Sequence, residues 1–242
     1  MSDATTFQFA SDLHLEFRTS LPSIRRLAPN LILAGDLGNP SRPLYEQLLA
    51  LVSGMFDNVF VIAGNHEFYG FTLMETLNLI SSLCSEFENV HFLHNSTYIS
   101  PTLPVHVYGG TMWSDVADAE RADVEATIND YSRIAGFTVE TSRNEHAEFV
   151  DLLSAALDEH DDKPFLVISH HLPLKRLVSP LYRSSPVHSA FASDVRLADD
   201  PRIAAWVFGH THTASTGPRF FCNPIGYPRE NPRASMDKCF SI

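Results

Sequence analysis

Cysteine is scarce in this chain of 242 residues: Cys84, Cys222 and Cys239 are an odd, scattered set with no paired C-x-x-C spacing. That excludes a disulfide framework and a cysteine-held zinc site, and leaves each thiol to act as a small buried hydrophobe. Positive charge is also in short supply, with 17 Lys+Arg against 29 Asp+Glu and a formal net charge of -12. Sequence-independent nucleic-acid binding and polybasic membrane attachment both need clustered cations, so neither is expected. Bound divalent cations would offset the excess acid locally, so an anionic substrate stays open. No stretch approaches the ~20 apolar residues of a membrane span. The first residues, Met1-Ser2-Asp3-Ala4-Thr5-Thr6, lack the basic and apolar regions of a secretory signal. The expectation is a soluble cytoplasmic protein. Internal repeats, low-complexity tracts and linkers are missing too, so residues 1–242 read as a single domain. The G-x-S-x-G elbow of serine hydrolases is absent, which removes Ser169 as a nucleophile.

What the chain does have is a series of short apolar runs that end in polar residues. Phe60-Val61-Ile62-Ala63 reads as a buried strand; Gly64 then permits a tight turn, and Asn65, His66 and Glu67 follow at once. In open α/β sheets, ligands gather outside the carboxyl ends of strands. Residues 7–11 are the expected first strand, followed by Asp12-Leu13-His14. In extended backbone, Asp12 and His14 would share a face. A carboxylate paired with an imidazole suits Mn, Fe or Zn. Leu31–Ala34 runs into Gly35-Asp36, and residues 42–53 carry Leu44, Leu48, Leu51 and Val52 as a helical stripe. Strand, helix, strand at this spacing predicts a βαβ unit. Phe165–Ile168 ends in Ser169-His170-His171, and Ala204–Phe208 ends in Gly209-His210-Thr211-His212, where the same-face geometry recurs.

The remaining segments frame these five. Thr72–Glu75 and Ser142–Glu145 match the capping box and predict helix starts. Further strands are expected over 90–99, 105–110 and 219–225, with loop and short helix over 174–200 and a loop over 224–233. His91, His94 and His106 read as structural or surface histidines rather than ligands. Residues 116–141 turn polar and irregular, with Asp130, Tyr131 and Arg133 clustered, which suits 111–141 as a lid or substrate loop. Arg133 and Tyr131 there, and Arg18 and Tyr69 elsewhere, are candidate substrate contacts, since arginine matches phosphate geometry.

Taken in order, Asp12-Leu13-His14, Gly35-Asp36, Gly64-Asn65-His66-Glu67, His170 and Gly209-His210-Thr211-His212 resemble the five-part pattern of the calcineurin-like metallophosphoesterases, over residues 12 to 212. At Ser169-His170-His171 the pattern matches His170, with His171 as a neighbour. The resemblance implies an α/β (α+β) fold, a four-layer α/β/β/α sandwich of two mixed β-sheets flanked by helices. It implies two divalent metal ions, with Mn, Fe, Zn or Ni as candidates. Asp12, His14, Asp36 and His212 would hold one; Asp36, Asn65, His170 and His210 would hold the other, Asp36 bridging. The implied activity is hydrolysis of phosphomonoesters or phosphodiesters of small molecules by in-line attack of metal-bound hydroxide. His66, the catalytic partner of Asp36, would protonate the leaving oxygen, oriented by Glu67 or Asp115. A cyclic-nucleotide phosphodiesterase or nuclease on the same site, and a catalytically silent scaffold, are the alternatives. The acidic balance weighs against nucleic acid.

Overall fold

The computed structural model describes residues 5–242. Its strands, in chain order, are β1 (Thr6–Ala10), β2 (Asn30–Ala34), β3 (Asn58–Ile62), β4 (Val90–Phe92), β5 (Ser96–Tyr98), β6 (His106–Gly110), β7 (Phe165–Ser169), β8 (Ile203–Phe208), β9 (Ser215–Thr216), β10 (Phe220–Cys222) and β11 (Cys239–Ser241). The helices are α1 (Pro43–Ser53), α2 (Leu73–Ser85), α3 (Arg121–Thr127), α4 (Asp130–Arg133) and α5 (Val139–Glu159).

Two mixed sheets form, in the orders β11-β1-β2-β3-β4 and β5-β6-β7-β8-β10-β9. Strands β1 to β4 run parallel, as do β6, β7, β8 and β10, so their carboxyl ends gather at one edge of each sheet. The central strands are largely apolar because both faces are covered. Phe9, Ile32, Phe60 and Ile62 face Val107, Leu166, Ile168 and Val207 between the sheets. The alternate residues Leu31, Leu33, Val59 and Val61 pack outward on α1 and α2. On the far side Tyr108, Phe165, Val167 and Trp206 pack on α5, through Phe149, Leu153 and Leu157. The result is the expected order of layers: helix, sheet, sheet, helix. Among the described residues no helix is long and apolar enough to cross a membrane.

Several local expectations are corrected. The buried stripe of α1 is Tyr45, Leu48, Leu49 and Val52, while Leu51 is exposed. Those four stand at i, i+3, i+4 and i+7, the spacing of one helical face, and Tyr45 turns its ring inward. The capping box at Thr72 and Glu75 is present, but that at Ser142 and Glu145 is not. Helix α5 starts one turn earlier, where Thr138 accepts from the Thr141 N–H at 3.1 Å. The Ser142 hydroxyl instead donates to the Ser114 carbonyl at 2.8 Å, pinning α5 to the loop after β6. Cys239 is exposed, unlike the buried Cys84 and Cys222. Two short edge strands, β9 and β11, carry no readable pattern because only two or three residues pair in each. Residues 111–141 hold α3 and α4 rather than irregular chain.

Candidate metal centre

The loops that follow β1, β2, β3, β7 and β8 meet at one place. Their backbones interlock: Asp12 N–H donates to Gly35 O at 3.0 Å, His14 N–H to Asp36 O at 2.9 Å, and Gly209 N–H to His170 O at 3.0 Å. Side chains tie the loops as well, with His66 N–H on Asp36 Oδ1 and His210 N–H on Asp12 Oδ1, both at 2.9 Å. The same-face argument from extended backbone fails here. Asp12, His14, Asp36, His210 and His212 all have positive φ, between 48° and 73°. Left-handed turns, each costing roughly 1–3 kcal/mol in non-glycine residues, aim these side chains inward. Gly35 has φ of 81°, and a Cβ there would lie 2.6 Å from both Gly64 N and His170 Nδ1. Glycine is what lets three loops approach so closely.

All seven expected ligands come together. His14 Nε2 lies 3.0 Å from His212 Nε2, and His212 Nε2 lies 3.5 Å from Asp12 Oδ1. Asp36 stands between two histidines, with Oδ1 3.4 Å from His170 Nε2 and Oδ2 3.7 Å from His14 Nε2. Asn65 Oδ1 is 3.1 Å from His170 Nε2, and the His210 ring is 5.1 Å from that of His170. Ligand atoms of Asp12, His14 and His212 fit within 4.8 Å of one another, as do those of Asp12, Asp36 and His170.

The hydrogen-bond pattern tests whether these residues suit a cation. His14 Nδ1–H donates to Glu16 Oε1 at 3.0 Å, His212 Nδ1–H to Glu230 Oε2 at 2.6 Å, and His170 Nδ1–H to Ala34 O at 3.0 Å. In the neutral rings every Nε2 therefore carries a lone pair, and these lone pairs point at one another or at carboxylate and amide oxygens. Acceptors crowded on acceptors are stable only with a cation or extra protons among them. The donor set of imidazole, carboxylate and amide oxygens fits borderline divalent ions. The same crowding shows in the acid–base balance. Burial opposes charge on His170 and His212, but Asp36 and Asp12 outweigh it and lift their pKa values to about 10 and about 9. Burial and the neighbouring charged histidine push His171 down to about 3, so it stays neutral behind the site.

The carboxylate on His66 is neither Glu67 nor Asp115. It is Glu16, whose Oε1 accepts from His66 Nδ1–H at 2.9 Å as well as from His14. Burial pushes the Glu16 carboxyl up, but the two histidines overcome it and hold it at about 2. Burial disfavours charge on His66 too, yet Asp36 and Glu16 raise its pKa above the ordinary histidine value. Glu67 is fully buried and accepts from four backbone N–H groups, of Asp36, Leu37, Gly38 and Gly64, at 2.6–3.3 Å. It clamps the loop after β2 to the loop after β3. Asp115 is exposed.

Of the candidate substrate contacts, Arg18 is occupied: Nε donates to Leu13 O at 2.6 Å and a terminal nitrogen to Gly226 O at 2.7 Å. The Arg133 guanidinium lies 5.4 Å from the Tyr69 ring centre. Tyr131 packs into the apolar interior. Ser169 is also occupied, accepting from Trp206 Nε1–H at 2.9 Å and donating to His171 O at 2.7 Å. A cleft of about 320 Å³ opens over the centre. Asp36, Asn65, His66, His210 and His212 form its floor; Thr127–Asp130, Tyr69, Tyr182, Phe191, Tyr227 and Glu230 form its walls. Glu16, Tyr227 and Glu230 are not among the residues the sequence singles out, and Asp130 is marked there only as part of the polar cluster with Tyr131 and Arg133. Of the first three, only Glu16 had a signal, standing two residues after His14 as His14 stands two after Asp12.

Residues 5–214 match the family model described as calcineurin-like phosphoesterase. An uncharacterized protein of Acanthamoeba polyphaga mimivirus, L509, is 27% identical over 95% of each chain. The crystal structure of a phosphopantetheinyl hydrolase from Mycobacterium tuberculosis superposes with a TM-score of 0.71 at 21% identity, over 94% of this chain and 92% of that one. That second likeness is one of fold. With the family model spanning most of its length, the chain belongs to the calcineurin-like phosphoesterases, metal-dependent hydrolases of phosphoric ester bonds.

Proposed function

We propose that the chain hydrolyses a phosphoester of a small molecule at a centre of two divalent ions. Asp12, His14, Asp36 and His212 would hold one ion, and Asp36, Asn65, His170 and His210 the other. The observation that carries this is the convergence of lone pairs on both sides of Asp36, one oxygen toward His14 and the other toward His170. When bound, such ions supply Lewis acidity to a phosphoryl group and to water. The chain's own residues do the rest. Glu16 and Glu230 fix the tautomers of His14 and His212, so that Nε2 of each faces inward. His66 holds a proton for the leaving oxygen: Glu16 fixes Nδ1–H, and Nε2 faces the cleft, where the Tyr227 hydroxyl lies 3.3 Å away. Residues 111–141 serve as a substrate wall through Thr127–Asp130.

The cleft also bears on the substrate. No lysine or arginine is among the described residues that line it, whereas Asp130 and Glu230 are. A leaving group with further phosphates would meet no lysine or arginine on these walls. An uncharged arm suits these aromatic walls and escapes repulsion by Asp130 and Glu230, and the pantetheine part of a phosphopantetheinyl ester, the group in the solved relative's name, is of that kind. The test is a screen of Mn-loaded protein against a generic monoester, a generic diester, cyclic nucleotides and a phosphopantetheinyl ester. Turnover is expected with at least one uncharged-arm ester. No hydrolysis of any of them at full metal occupancy would overturn the proposal in favour of a scaffold.

A further inference from the structure

Asn65 can serve as a metal ligand only through its carbonyl oxygen, and an amide side chain is nearly symmetric in shape. Turned by 180°, it would present its NH₂ to the Nε2 lone pair of His170 and to Asp36, an arrangement that satisfies hydrogen bonding but repels a cation. Something must hold the amide the other way. Asn65 Nδ2–H donates to Asp130 Oδ1 at 2.8 Å, and the Tyr69 hydroxyl, which donates to the same oxygen at 2.7 Å, lies 3.2 Å from Nδ2. Both amide hydrogens thus have an acceptor on the outer side. A carboxylate can only accept, so the flipped amide would set its oxygen against the Asp130 charge. Asp130 is buried, with 5% of its surface exposed, where such repulsion is weakly screened.

Asp130 also belongs to the cleft wall. It opens α4, directly after Thr127, Ile128 and Asn129, which line the cleft. That segment is bound to the loop carrying Asn65: Gly70 N–H donates to Arg133 O at 2.8 Å, and Ala135 N–H donates to Phe71 O at 2.9 Å. The residue that holds the amide, Asp130, thus stands on the same segment that forms the wall.

We propose that Asp130 is a positioning residue that fixes the Asn65 carbonyl toward the ions and so couples the wall at 127–130 to one of the two metal positions. The inference rests on the two-ion proposal above. It is tested by calorimetric titration of Mn²⁺ into metal-stripped wild type, Asp130→Ala, Asp130→Asn and Tyr69→Phe. Wild type is expected to bind two ions. In Asp130→Ala the affinity of one ion falls by ~10–100-fold while the other is unchanged. Asp130→Asn, whose carbonyl can still accept from Asn65, recovers most of the loss; a packing role alone would not single out one ion or respond to the restored acceptor. Tyr69→Phe lowers the same ion's affinity several-fold, and tests the inference should Asp130→Ala not fold. Two ions in wild type with no change in Asp130→Ala and Tyr69→Phe would overturn the inference and leave the two-ion centre standing. A wild type that binds only one ion would overturn both.

Discussion

One oxygen of Glu16 accepts from the Nδ1–H of both His14 and His66, at 3.0 and 2.9 Å. A proposed metal ligand and the proposed proton donor therefore share a carboxylate. Replacing it should disturb both, whereas replacing His66 should disturb only the chemistry. His66→Ala is expected to keep two ions per chain by elemental analysis and to lose ~10²–10⁴-fold in kcat. Normal turnover would end the proton-donor role. Glu16→Ala is expected to weaken ion binding by ~10–100-fold as well as lower kcat. Metal titration alongside kinetics separates the two, and an unchanged ion affinity would show that Glu16 does not hold His14. At this scale the sequence was informative about residues that sit in the motifs and silent about their supports. Glu230 reaches the site from a loop and Asp130 from the first position of the short helix α4, segments whose local sequence has no period or spacing, so only the folded chain brings them to His212 and Asn65.

Loops set the precision of the site at the next scale, and Glu67 is their clamp. Its carboxylate is buried and holds backbone N–H groups of two separate loops. Glu67→Ala would leave those donors without partners, at ~1–3 kcal/mol each where water cannot reach them. The expected loss is at least ~3 kcal/mol, or about 6–12 °C in Tm, with weaker metal retention because Asp36 sits on the clamped loop. Calorimetry of metal-free and metal-loaded protein measures both; an unchanged Tm would contradict the clamp. Elements of this kind were legible in part. The strands were, because runs such as Leu31–Ala34 and Phe165–Ile168 are short, wholly apolar and end in polar or turn-forming residues. The Ser142–Glu145 capping match was misleading, because the hydroxyl of Ser142 finds the Ser114 carbonyl instead, a partner set by tertiary packing. The inward aim of Asp12 and His14 was anticipated for the wrong reason, since strained left-handed turns produce it rather than extended backbone.

For the molecule as a whole, the layered architecture was legible because four parallel strands at the heart of each sheet demand apolar residues on both faces, and the helices that cover them show their own stripes. Less legible is the setting of polar groups away from the motifs. His91 stacks on Tyr98 with ring centres 4.1 Å apart and on Phe60 at 5.5 Å, and its buried Nε2 has no hydrogen-bond partner. Neither neighbouring ring places an acceptor on that nitrogen, so the N–H of a charged imidazole would be left without a partner there. Burial lowers the pKa of His91 below the ordinary value. The unfolded chain, with a histidine pKa of about 6.5, then binds the proton more readily than the folded one. Stability from this group is present above pH ~6.5 and is lost as the pH falls from there toward the depressed folded value. His91→Phe keeps the aromatic packing and removes the titration. In urea unfolding of metal-free protein, the variant should gain on its parent as the pH drops from ~7.5 to ~5.5, because other titrating groups contribute equally to both. A difference in unfolding free energy that stays constant across that range would mean that the ring takes up its proton as easily in the fold as in water, and that its apolar stacking carries no penalty for charge.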